Sequence, residues 1–222
     1  MAKTNKAAAI QNTLQADLGW RHETTPETAP SFVSAIDLAT CGWPRGRISE
    51  VVGAASSGRT TLLHSLLATM TTRGEICAVV DAMDGFDPAT AELNGVNLSR
   101  LTWIRCGGNL EHAMHAADLL LHSGGLGVVA IDFCGAPTQH LQRVPASYWF
   151  RFRRAVETSQ TICLVLAEQP VTKSCSTLIV ETASREAHFT PRLFRELVCR
   201  VGLRKPYAAA SSELRAAWQQ TG

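Results

Sequence analysis

The segment Gly53-Ala54-Ala55-Ser56-Ser57-Gly58-Arg59-Thr60-Thr61 constrains this chain more than any other. It follows a β-branched run, Ile48-Ser49-Glu50-Val51-Val52, and leads into a helical pattern that starts at Thr60. A strand, a turn with spaced glycines and a helix N-terminus together make a phosphate cradle, because backbone N–H groups turn inward and the helix dipole faces the anion. Gly53 and Gly58 have the required spacing. Ser56, Ser57, Arg59, Thr60 and Thr61 complete the nucleotide-binding set, with the Thr60 hydroxyl placed as a magnesium ligand. Arg59 stands where a lysine is expected. It keeps the positive charge but is a bulkier planar fork than an ammonium, a change that favours binding over hydrolysis.

Apolar β-branched runs alternate with helical patterns from Ile48 onward, which predicts an α/β fold with a mostly parallel sheet and helices on both faces. Strands are expected at 48–52, 76–80, 101–104, 128–132, 162–167, 178–181 and 194–202. Helices are expected at 60–72, 88–93, 110–122, 146–159 and 211–219. Ala7, Ile10, Leu14 and Leu18 recur at helical spacing. The organisation read from these patterns is an amphipathic helix over 1–19, a linker over 20–31, a nucleotide-binding core over 32–205 and a helical tail over 206–222.

At 222 residues, 45% of them hydrophobic and 18% charged, the chain is long enough for one substantial core and is not of disordered composition. No apolar run approaches the length of a membrane span, and the N-terminus lacks a signal-peptide core, so a cytoplasmic protein is expected. The seven cysteines form no CxxC pair or Cys/His cluster and read as reduced core residues. Charge is uneven: residues 133–222 carry 12 Lys/Arg against 6 Glu, while residues 1–132 carry 9 against 13 acidic groups. That asymmetry suits contact with a polyanion, and equally suits a solvated basic face.

Asp132, closing the apolar run Val128-Val129-Ala130-Ile131, is placed to hold magnesium through water. The run Asp81-Ala82-Met83-Asp84-Gly85-Phe86-Asp87-Pro88 is the place to look for a group that positions attacking water. In Tyr148-Trp149-Phe150-Arg151-Phe152-Arg153-Arg154, Trp149 and Phe152 fall on a core-facing stripe, leaving Arg151, Arg153 and Arg154 as candidate contacts to DNA phosphates, with Lys173 a further one.

Several of these segments occur in the order and spacing of the bacterial RecA core: Ser34-Ala35-Ile36-Asp37, Gly42-Trp43-Pro44-Arg45-Gly46, the loop at 53–61 and the run at 81–88. From about Ser31 to Gln169 the chain resembles that family. The resemblance implies a RecA-like P-loop fold binding ATP and Mg, with Asp87 at the adenine. It implies Gln169 as a sensor of the γ-phosphate that leads into a DNA-binding loop. The family's catalytic glutamate position is Met83 here, with Asp84 beside it as the remaining catalytic candidate next to Gln169. Both segments matching DNA-binding loops, 135–145 and 170–176, are short.

Among RecA-like proteins, the chain is most similar to the ImuA group, particularly at Gly42 to Gly46. That likeness implies an accessory of the DNA-damage (SOS) response that binds nucleotide and partners in mutagenic translesion synthesis, a Y-family-like protein and an error-prone polymerase. Single-stranded DNA and self-association, or a RecA-like filament partner, are also implied. The alternative is an active DNA-dependent ATPase of the recombinase type; a small-molecule kinase is a third reading with no recognisable lid or acceptor pocket.

Overall fold

Residues 128–132 show why a two-layered sheet core forms. All five are buried, with Val128 and Ala130 packing in one apolar cluster and Val129 and Ile131 in the other. A strand alternates its side chains, so an uninterrupted apolar run needs cover on both faces. The neighbouring strand behaves alike, with Ile162, Leu164 and Leu166 on one side and Cys163, Val165 and Ala167 on the other.

The computed structural model describes residues 27–189, 194–206 and 208–217. The helix expected at 1–19, and most of the linker expected at 20–31, lie outside them. Two short strands, β1 (Thr28–Ala29) and β2 (Trp43–Pro44), pair antiparallel and flank helix α1 (Ser34–Thr40). Then follow β3 (Ile48–Val52), α2 (Arg59–Thr72), β4 (Cys77–Asp81), α3 (Pro88–Leu93), β5 (Leu101–Arg105), α4 (Leu110–Ser123), β6 (Val128–Asp132), α5 (Thr138–Gln142), α6 (Ala146–Ser159), β7 (Ile162–Ala167), β8 (Ser176–Phe189), β9 (Phe194–Lys205) and β10 (Ala208–Ala217). Among the described residues, eight strands form one sheet in the order β10-β9-β8-β3-β7-β6-β4-β5. The section from β8 to β5 is parallel, and β9 and β10 extend it antiparallel.

The sheet and its alternation with helices are as expected from the sequence, with one correction. The segment read as a helix at 211–219 is instead the strand β10 wherever it is described, its residues Ser211 to Ala217 registering with β9. Local helix propensity lost to tertiary context: the long strand β9 offers an open edge, and Leu214 is drawn into partial burial against the α2-side core. The strand expected at 178–181 likewise runs on to Phe189 because β9 pairs along its length. Helices α1 and α5, seven and five residues long, are too short to show a periodic pattern.

Glu50 lies in the middle of β3 with no exposed surface. Its Oε1 accepts the N–H groups of Val171 and Thr172 at 2.7 and 2.8 Å, and Ser176 Oγ donates to Oε2 at 3.2 Å. A buried carboxylate is retained when donors surround it. Here it ties the loop after β7 to the central strand. Glu50→Ala orphans two buried N–H groups and is expected to destabilise the chain by about 2–4 kcal/mol in urea unfolding. Glu50→Gln, whose amide oxygen accepts the same two bonds, retains most of that stability.

His64 of α2 is buried edge-on against Phe86, ring centroids 5.7 Å apart, and Asn94 Nδ2 lies 3.0 Å from its Nδ1. Its Nε2 has no partner. Burial lowers its pKa below the ordinary histidine value, with the charge of Asp87 partly opposing. The unfolded chain therefore takes up a proton more readily than the folded one. His64 contributes stability that is present above about pH 6.5 and is lost as pH falls through the lower folded value. Thermal unfolding at pH 7.5 and 5.5 is expected to show a smaller acid-induced drop in Tm for His64→Gln than for the wild type; equal drops would remove His64 as a source of acid sensitivity.

Candidate functional site

The parallel register brings the candidate residues to one edge of the sheet. Val52 is opposite Ala167, Asp132 opposite Leu166, and Asp81 opposite Asp132, so the loops after β3, β7, β6 and β4 emerge side by side. Open α/β sheets bind ligands in that crevice.

The loop after β3 is fitted to its neighbours so closely that a side chain at either glycine would force them to shift. A Cβ on Gly53 would lie 2.3 Å from the Thr182 carbonyl oxygen and 2.6 Å from Ser57 Oγ. Gly58 has φ +94°, and a Cβ there would meet Cys199 Sγ at 2.9 Å. Ser57 Oγ is within 2.7 Å of Thr182 Oγ1, which also donates to the Val52 carbonyl. The loop is thus built onto β8 and β9, contacts that no local motif announces. Ser56, at φ +58°, and Thr60 are exposed, and Thr61 is half-buried.

Helix α2 starts at Arg59 without a side-chain cap and without an acidic residue in its first turn. Its first N–H groups therefore keep the partial positive charge of a helix N-terminus. Arg59 itself is only 6% exposed, and its Nη1 is buried with no hydrogen-bond partner.

Asp132 is 7% exposed, and its Oδ1 accepts the Cys134 N–H at 2.8 Å. Burial pushes its pKa up, with bonding from Cys134 and the charge of Arg59 opposing. Burial likewise raises the Cys134 thiol, and the Asp132 carboxylate adds to that shift. Magnesium requires a nearly octahedral shell of accessible hard oxygens. Thr60 supplies one exposed hydroxyl and Asp132 a carboxylate with only one oxygen bonded to the Cys134 N–H, the pair that would hold magnesium through water.

The run after β4 serves mainly as a scaffold. Asp81 accepts from the backbone of Gly85 and Phe86 and from Trp103 Nε1. Asp84 is turned toward Arg105 Nη2 and the Gly107 N–H, at 3.0 and 3.1 Å. Met83 packs against the α4/α6-side apolar cluster, close to Gly135. Asp87 caps α3, accepting from Ala89, Thr90 and the Thr90 hydroxyl, bonds that hold its pKa below the usual carboxylate range. Gln169 and Glu168 are exposed just beyond β7, and the charge of Glu168 reaches Cys134. Glu168 escaped notice in the sequence because only the register places the end of β7 between Gly53 and Asp132.

Of the basic candidates, Arg151 pairs with Asp118 of α4, and Arg153 with Glu157 one turn away. Arg154 is exposed. Lys173 Nζ donates to the Gln142 carbonyl at 3.1 Å, linking the two short loops. Beside them is a cavity of about 330 Å³ lined by Leu110, Met114, His140, Arg143 and Tyr148. Its basic and aromatic members, His140, Arg143 and Tyr148, lie within nine residues of one another, and α4 adds Leu110, Met114 and the acidic Glu111 from across the fold.

The segment Gly42 to Gly46 is structural: Trp43 is 1% exposed, and Arg45 forks onto Glu75 through both terminal nitrogens.

Residues 9–142 match the RecA N-terminal domain family. The chain is similar to Protein RecA of Lactobacillus delbrueckii subsp. bulgaricus, 34% identical over 149 residues that span 61% of this chain and 45% of the relative. Protein RecA of Methylococcus capsulatus is 42% identical over 114 residues, 50% of this chain and 33% of the relative. Protein RecA of Borrelia hermsii is 41% identical over 97 residues, 44% and 27% respectively. The aligned part is thus less than half the length of each of these relatives. With an α/β sheet, a glycine-bounded phosphate loop and a family match over more than half its length, the chain belongs to the RecA N-terminal domain family.

Proposed function

We propose that this chain is a nucleotide-binding accessory of bacterial DNA repair, acting in mutagenic translesion synthesis, which binds ATP and turns it over weakly or not at all. The observation that carries the reading is the contrast within one site. The phosphate cradle is complete, with Gly53, Gly58, an uncapped α2 and the unpaired Arg59 Nη1, whereas the position for a catalytic carboxylate holds Met83 and the adjacent Asp84 is committed to Arg105 and Gly107. Retained binding with lost water activation is what such a site supports.

Family membership supports DNA repair as the setting, and RecA-family domains in general bind ATP. The ImuA-like likeness at Gly42 to Gly46 supports the translesion role, with a Y-family-like protein and an error-prone polymerase as partners. Arg143 and Tyr148 in the cavity, with exposed Arg154 nearby on α6, support contact with single-stranded DNA through phosphate pairing and base stacking. Arg151, Arg153 and Lys173 contribute to that surface while holding their intramolecular partners. Self-association, or pairing with a RecA-like filament partner, belongs to the same reading. No described helix is long and apolar enough to cross a membrane.

The second reading, a DNA-dependent ATPase of the recombinase type, is favoured by one observation: Gln169 is exposed just after β7, beside the phosphate loop. Two measurements separate them. Equilibrium titration is expected to show ATP binding that Gly58→Ala weakens by at least about tenfold, or ~1.4 kcal/mol. Steady-state assays are expected to show negligible phosphate release, with or without single-stranded DNA. Robust DNA-stimulated turnover abolished by Thr60→Ala would establish the ATPase instead. Affinity capture of translesion polymerase components on the full chain tests the partner assignment.

A further inference from the structure

Arg59 is in an unusual position for a charged side chain. It is 94% removed from solvent, opens a fourteen-residue helix that has neither cap nor acidic first turn, and buries a terminal nitrogen with no acceptor. Desolvating a guanidinium N–H without a partner is costly, so an anion is the missing element. The helix N-terminus, aimed at the same crevice, asks for the same ligand.

From this we propose that Arg59 takes over the electrostatic task of the divalent metal, so that the chain binds nucleoside polyphosphates independently of magnesium. The inference rests on the nucleotide-binding reading above and deepens it. A guanidinium has five N–H donors in a planar fork and can bridge two phosphate oxygens, as a metal bridges them, whereas a lysine ammonium neutralises charge at a point. The longer, forked side chain at position 59 therefore makes the metal dispensable, and the same substitution removes the metal-centred arrangement on which P-loop hydrolysis depends.

The test uses the full chain and calorimetric titration with ATP and with ADP, in magnesium buffer and in EDTA. The expected wild-type affinities agree within about threefold between the two buffers, and Arg59→Lys gains at least about tenfold tighter binding in magnesium than in EDTA. Magnesium alone, without nucleotide, is expected to leave the wild-type Tm unchanged. A wild-type affinity that collapses about tenfold or more in EDTA overturns the inference while leaving nucleotide binding intact. A folded Arg59→Lys variant, verified by circular dichroism, that stays metal-independent overturns the assignment to Arg59. Absence of binding in both buffers overturns the nucleotide-binding reading itself, which distinguishes the two failures.

Discussion

The bonds at Glu50 are the constraint on which the site's architecture depends. A carboxylate with no solvent contact sits in the central strand, and the backbone of Val171 and Thr172 and the Ser176 hydroxyl close around it. Strand β3 carries the phosphate loop at its C-terminal end, and the loop after β7 begins with Glu168 and Gln169. One side chain therefore fixes two functional loops relative to each other. The buried carboxylate is tolerated because three donors replace its lost water.

A second dependence runs across the sheet to β8, β9 and β10. Thr182 bonds both to Ser57 and to the Val52 carbonyl, and Cys199 and Leu214 lie against Gly58. Ser212 Oγ accepts the Ala35 N–H at 2.7 Å, so β10 also holds α1 in place. The antiparallel extension braces the phosphate cradle from the side away from β7. The asymmetry of the crevice follows: glycines, an uncapped helix and a buried arginine on one side, and on the other an aspartate engaged by its own loop and a methionine in apolar contact. That asymmetry supports the proposed role of holding phosphates over one of activating water against them.

Much of the architecture was legible because its signals are local or periodic. The apolar runs at 48–52, 128–132 and 162–167 are strands at those bounds, and the patterns at 88–93 and 146–159 are helices at those bounds. Register within these strands follows from burial on both faces. The tail at 211–217 was misread because Leu214, at helical spacing from its apolar neighbour, is a helix signal only when no strand edge is available to pair with. The roles of Asp84 and Arg151 were equally hidden, since their partners Arg105, Gly107 and Asp118 are 21 to 33 residues distant.

The order of residues already contained the phosphate loop, its strand and helix and the arginine at 59, because each is a statement about residue type at fixed local spacing; that Met83 stands at a carboxylate position came from the resemblance to the RecA core. Folding settled the rest: that Asp84 turns to Arg105, that Cys199 and Leu214 close on Gly58, and that Arg59 is buried with an unpaired nitrogen in electrostatic reach of Asp132. Burial and charge pairing depend on which strands lie side by side, and adjacency in this sheet joins segments more than a hundred residues apart.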